Sequence, residues 1–374
     1  MWAIALKEFL QLRRDRRTVA MLFALPVLFL VVFGYAASFD VKEVPTLVAG
    51  PMAPAVAAHL PAPFTVVATR PGDDRLAAVD ALRRGEAVVA IVTPSSPAAG
   101  RASILIDGTE LFAARSAQVA VARLRAAAAA APSAVSATTV AGLPVPEPAV
   151  LFNPGLRTAV VMVPGLCGII LVFVGTIATS LGVVRERQAG TMEQLAVMPF
   201  RPRDVFLGKV APYLAIATVD MAVIVAVGMA VFDVPFRGSP ATFALAAALF
   251  LFVTLGVGVL VSTVSQTQGQ AIQLAIMFMV PQFLLSGLFF PLYAMPWAVR
   301  WIGYVLPLTW FVKVARGVMV RGAPFTALWL PLLVLAAMAA LVFTASVLRF
   351  RRELAPADAA ASGPADQGVT GEGV

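Results

Sequence analysis

His59 is the only histidine of this chain and Cys167 its only cysteine. A hydrolytic triad needs a histidine beside a nucleophile and an acid, and a zinc centre needs three or four clustered ligands. HExxH sites, zinc-finger spacings and an intramolecular disulfide are all excluded by these two counts. The residues left to do chemistry are carboxylates, guanidiniums and amides in two settings. One is the stretch "RERQAGTMEQLAVMPFRPRDVFLGKVAPY" at 185–213, a polar interruption between long apolar runs. The other is a few polar residues within or beside such runs, of which Asp220, Gln282 and Ser286 are the candidates for a transport path.

Asp220 sits about midway along its run and is the acid found deep in any of them. An acid at the centre of a membrane helix costs about 2.5–3.5 kcal/mol on insertion scales, so it should face a bundle or a wet cavity. Two readings stand side by side: a contact between helices held by hydroxyls and amides, or a pathway residue favouring cationic or hydrogen-bonding cargo.

These residues need elements to position them, and composition says which. Of 374 residues, 60% are hydrophobic and 13% charged. A soluble domain carries about 25% charge, so this is a polytopic membrane chain. Its net charge of +8 lies beside apolar runs, as on the cytoplasmic flanks of spans, and does not indicate nucleic acid. About 20 apolar residues cross a bilayer as a helix, because the backbone is then satisfied internally. Six segments qualify: 18–37, 158–183, 205–232, 241–263, 271–292 and 325–348. No small-residue cleavage site follows the first, which is expected to remain as a span.

Basic clusters orient the chain. Arg13, Arg14, Arg16 and Arg17, then Arg185, Arg187, Arg201 and Arg203, then Arg349, Arg351 and Arg352 all point to one side, with both termini cytoplasmic. Residues 293–324 break the pattern, holding Arg300, Lys313, Arg316 and Arg321 without an acid. Trp297, Trp301 and Tyr304 share a helical face there, so 296–318 reads as helices in the outer interface or dipping partly inward, with an ordinary amphipathic connector as the alternative. Residues 1–17 read as an interfacial connecting helix, with Trp2, Leu6, Phe9 and Leu10 on one face.

Residues 38–156 are long enough to fold alone outside the membrane. "VPTLVAG", "FTVVAT", "AVVAIVT" and "ASILIDG" read as strands. "DDRLAAVDALRRG" reads as a helix with Gly85 as its C-cap, and an alanine-rich helix over about 110–131 ends at Pro132. This is an extracytoplasmic α/β domain. "GLPVPEP" reads as a stiff linker into the membrane part at 158–348, and the tail at 349–374 as disordered.

Within 185–213, Thr191 and Gln194 fit a capping box. A helix of about two turns then runs to Met198, where Pro199 stops it, and Asp204 is a candidate N-cap for the next helix. On these grounds alone a short helix at about 188–199 is either a passive connector or a docking element. No P-loop is present: Gly208-Lys209 has Arg203 and Val210 where glycine and Ser/Thr are needed.

The stretch resembles the coupling segment of ABC transporter permeases of the type-2 exporter class. The matching positions are Arg185, Glu186, Arg187, Gly190, Thr191, Glu193, Leu195, Pro199, Gly208, Lys209, Pro212 and Tyr213. "KEFLQLRRDRRTVAMLFALP", "LFNPGLRTAVVMVPGL", "LLSGLFFPLYAMP" and "LPLTWFVKVARGVMVRG" are similar to other parts of that class. Gln188 and Ala189 depart from it, standing where a glutamate and an arginine are usual. The resemblance implies a non-catalytic permease subunit with no bound cofactor, in a bacterial inner membrane. It implies a separate cytoplasmic ABC ATPase subunit that uses ATP and grips the short helix, and a second permease copy beside the first. The cargo implied is hydrophobic or amphipathic: a drug, an antibiotic or a lipid. An ATP-independent membrane receptor, binding ligand through the α/β domain, is the alternative.

Overall fold

The computed structural model describes residues 43–96, 102–130, 139–140, 143–144, 146–189 and 202–353. The connecting helix at 1–17, the first span at 18–37, and Gly190, Thr191, Glu193, Leu195 and Pro199 lie outside the described residues, as does the tail beyond Glu353.

The chain forms an α/β domain followed by long apolar helices: it is a polytopic helical membrane protein. In the domain, β1 (Val44–Ala49), β2 (Phe64–Arg70), β3 (Val89–Val92), β4 (Ser103–Asp107) and β7 (Pro148–Leu151) make one mixed sheet in the order β2-β1-β3-β4-β7. β1 runs parallel to β2 and β3, β3 antiparallel to β4, and β4 parallel to β7. A small ribbon, β5 (Thr139–Val140) with β6 (Leu143–Pro144), lies apart from it. Both sheet faces are covered, which explains why the strands read as near-continuous apolar runs. Val44 and Val48 pack with α1 (Ala53–Ala58) and α3 (Leu111–Ala130) through Val56, Ala113, Ala117 and Val121. Leu47 and Ala49 turn the other way, onto Ala78, Ala81 and Leu82 of α2 (Arg75–Arg84).

Helix α2 begins where Asp74 accepts a hydrogen bond from the Ala77 amide (2.8 Å) and ends at Gly85, whose φ of 74° suits a residue without a Cβ. The linker reading needs correction at its end, since Pro148 opens strand β7. That strand is an edge and Pro148 its first residue, both positions at which a sheet tolerates proline.

The membrane helices are α4 (Thr158–Gln188), α5 (Pro202–Phe232), α6 (Pro240–Val264), α7 (Gln268–Leu285) and α10 (Phe325–Glu353). Among the described residues these five are long and apolar enough to cross a membrane. Between α7 and α10, helices α8 (Trp297–Val305) and α9 (Pro307–Arg316) meet at 79° and form a broken or re-entrant pair that would make a sixth span if counted as one. Asp204 falls in the first turn of α5 rather than at its cap, because the helix already begins at Pro202, a residue suited to a first helical position.

Helix α4 is the centre of the bundle. A Cβ on Gly258 of α6 would come within 2.8 Å of the Thr176 carbonyl oxygen of α4, so the two backbones meet where only glycine fits. Phe250 of α6 and Phe311 of α9 stack at 4.4 Å between centroids, over Cys167, Leu171 and Leu308. The α/β domain sits on one end of this bundle. Arg237 ties the junction by donating to the carbonyls of Phe152 and Val320, both at 3.1 Å, and Phe112 stacks on Phe290.

Candidate functional site

Apart from Asp220, about midway along α5, the described residues singled out from sequence fall into two groups, at opposite ends of the bundle. At the end far from the α/β domain, Arg185, Glu186 and Arg187 occupy the last turn of α4. Glu186 accepts an ion-paired hydrogen bond from the Lys209 ammonium of α5, whose side chain is 10% exposed against 45% for the glutamate. The Arg187 guanidinium donates to the carbonyls of Ser262 (3.2 Å) and Ser265 (3.1 Å), at the C-terminal end of α6. A cation there meets carbonyls that lack helical partners and the negative end of the helix dipole. The Gln188 side-chain oxygen accepts from Gln268 of α7 at 2.9 Å. Tyr213 of α5 packs its hydroxyl against Gly182 of α4. The residues flanking 190–201 therefore join the ends of four helices, α4, α5, α6 and α7.

Asp220 lies on α5, half-buried, without a hydrogen-bond or ion-pair partner among the described residues. Gln282 and Ser286 belong to the other end of the bundle. Gln282 is fully buried, and its oxygen accepts from the Leu308 amide at 3.1 Å. That amide is one of the orphan donors at the start of α9, so Gln282 caps a helix of the bent pair. Its amide nitrogen and the Ser286 hydroxyl have no hydrogen-bond partner among the described residues.

Ser286 lines a chamber of about 160 Å³ together with Glu110, Tyr293, Lys313, Arg316 and Arg321. A second chamber of about 300 Å³ shares Glu110, Tyr293, Lys313 and Arg321 and adds Asp107. Both lie where the α/β domain meets the bent helices. Arg316, 5% exposed, gives its guanidinium to three carbonyls: Val161 and Gly287 at 3.3 Å and Leu288 at 2.8 Å. Arg321 reaches Asp107 at 3.4 Å and lies against Gly85, where a Cβ would meet it at 2.7 Å. The Lys313 ammonium stands 4.4 Å from the Trp310 ring centroid and 5.3 Å from that of Tyr304. Burial pushes the carboxyl groups of Asp107 and Glu110 above the usual range, against the pull of Arg321 on the first and Arg316 on the second.

In the sequence Lys313, Arg316 and Arg321 stand out as basic residues in a segment expected outside, but nothing local pairs them with Asp107 and Glu110, which lie about two hundred positions earlier. Among the described residues no group of three His, Cys, Asp or Glu side chains could hold a metal ion.

Residues 16–348 match the family model described as "ABC-2 family transporter protein". Over 203 residues the chain is 32% identical to the "Probable multidrug ABC transporter permease YbhR" of Escherichia coli (strain K12), covering 54% of this chain and 55% of that one. It is 34% identical over 206 residues to the "Inner membrane transport permease YhhJ" of the same organism, covering 54% of each. A more distant relative is "ABC transporter G family member 20" of Dictyostelium discoideum, 28% identical over 175 residues, which are 47% of this chain and 24% of that one. The chain spans about half the length of the bacterial curated relatives it matches.

Proposed function

The chain belongs to the ABC-2 family of transporter proteins, and from that premise we propose that it is the membrane-spanning permease of an exporter driven by a separate ATPase subunit. The observation that carries this reading is the tied base of the bundle. Glu186–Lys209, Arg187–Ser262/Ser265 and Gln188–Gln268 join the flanks of residues 190–201 to the ends of four helices. A docking element must be joined stiffly to what it moves, and a passive connector need not be.

In this reading ATP binding in the partner shifts the segment that carries Gly190, Thr191, Glu193, Leu195 and Pro199. The four helix ends move with it, and a path between two permease copies changes its access. Helix α5 supports the second copy: Ile216, Val219 and Val223 form an exposed apolar row along it. The cargo is hydrophobic or amphipathic, in keeping with the scarcity of charge in the spans and with the word "multidrug" in the name of one relative. The basic clusters favour a topology with both termini in the cytoplasm and the α/β domain outside a bacterial inner membrane.

The test is purification of the tagged chain from its own membrane, alongside Glu193→Lys. A P-loop ATPase should accompany the wild type and be lost from the variant. Equal recovery of that ATPase with both would remove the segment from the docking role.

A further inference from the structure

The junction between the α/β domain and the bent helices holds an unbalanced set of charges. Lys313, Arg316 and Arg321 face Asp107 and Glu110 across the two chambers, three cations against two carboxylates. Their commitments differ. Arg316 is used up on backbone carbonyls, and Arg321 is held by Asp107. Lys313 touches aromatic faces and has no carboxylate at ion-pair distance among the described residues. Two hydroxyls on residues lining the same space are also without hydrogen-bond partners among the described residues: Ser286, 2% exposed, and Tyr293. Buried polar groups are nearly always paired, so three donors without a hydrogen-bond acceptor among the described residues, on three elements that line one cavity, call for one.

We propose that this chamber binds a phosphate-class oxyanion, received by the Lys313 ammonium with the Ser286 and Tyr293 hydroxyls donating. Several acceptor oxygens pointing in different directions suit donors that arrive from the end of α7, the turn at Leu292–Ala294 and α9. The anion also balances the excess cation. Glu110, surrounded by protein yet open to both chambers, is the group that opposes it. The same chemistry can come from a lipid headgroup or from free phosphate. Trp297 and Trp301 of α8, 71% and 52% exposed, are of the type that sits at headgroup level, within reach of the lipid source.

This goes beyond the transport reading and needs no ATPase for its test. The full chain in a maltoside detergent is titrated with sodium phosphate by calorimetry. Separately, it is offered phosphatidylglycerol and, with the same tails but no phosphate, diacylglycerol, with retention read by native mass spectrometry. Four proteins are compared: wild type, Lys313→Gln, Glu110→Gln, and Arg75→Gln on the exposed side of the same domain. Wild type is expected to bind phosphatidylglycerol over diacylglycerol, or free phosphate, and the arm that responds identifies the source. Lys313→Gln is expected to weaken that binding about tenfold, the loss of one charge-assisted contact. Glu110→Gln should tighten it and Arg75→Gln leave it unchanged. Should Lys313→Gln fail to fold, Glu110→Gln decides by the same readout. Wild type binding neither probe, Lys313→Gln binding as well as wild type, or Glu110→Gln failing to tighten would each overturn the site.

Discussion

Glu186 on α4 and Lys209 on α5 are 23 residues apart in the chain and ion-paired in space. The pair joins the helix ends on either side of the proposed coupling segment. Lys209→Gln should loosen that joint while leaving the helices inserted. With one partner half in solvent, the pair contributes about 1 kcal/mol at most, roughly a fivefold shift in the equilibrium it biases. Transport per ATP hydrolysed, measured in vesicles with the partner ATPase, should fall by about that factor. The exchange Glu186→Lys with Lys209→Glu should recover most of it. Failure of the exchange to recover anything, with the protein folded, would assign Lys209 another task.

Arg187 offers a second joint. Arg187→Gln withdraws a cation from the carbonyls of Ser262 and Ser265, both buried at the C-terminal end of α6. A charge at a helix C-terminus contributes about 0.3–1 kcal/mol, more where partly buried. Thermal unfolding in detergent should drop by a few degrees, and coupling should weaken together with it. Unchanged stability and unchanged coupling would show that α6 is not part of the linkage.

The acid–base state of the junction gives a stability prediction with a definite sign. Glu110 is faced by Arg316, Arg321, Lys313, Asp107 and Tyr293, and burial holds its carboxyl above the ordinary value near 4.5. Below that value it is protonated in both folded and unfolded chains. As pH rises through it, the unfolded chain gives up the proton first, so folding loses stability until the folded carboxyl also ionises. Glu110→Gln removes this dependence. Its unfolding temperature should equal that of wild type near pH 4 and exceed it at pH 8. A variant less stable than wild type at pH 8 would mean that the cations hold Glu110 as a stabilising anion.

Asp220 separates two readings by one pair of substitutions. It is half-buried on α5 and without a partner among the described residues, so nothing there holds it as a contact between helices. As a pathway residue, Asp220→Asn should lower export of cationic cargo several-fold and spare neutral cargo, by removal of one charge in a low-dielectric path. Export of every cargo unchanged in Asp220→Asn, with Asp220→Leu destabilised, would make the residue structural.

The parts of the fold legible from sequence were those with local signals. Apolar run length marked the five helices at 158–348, and strand composition marked β1 to β4. Asp74 and Gly85 bracketed α2 through cap chemistry that needs no tertiary context. Pro148 hid β7, because proline argues against a strand unless the strand is known to be an edge. The chamber was half-visible. Its cations stood out by defying the orientation rule, but the Asp107–Arg321 pair spans 214 residues and leaves no periodic trace. Gln282 was singled out for a path and is found capping α9, a role set by a helix that begins 25 positions later, at Pro307.

The measurement closest to the central claim is ATP hydrolysis by the purified chain in lipid vesicles, alone and with its accompanying ATPase. Background hydrolysis alone is expected, with turnover appearing when the partner is added and its coupling to transport falling in Lys209→Gln. Appreciable turnover by the chain alone would contradict its reading as a permease driven by a separate subunit.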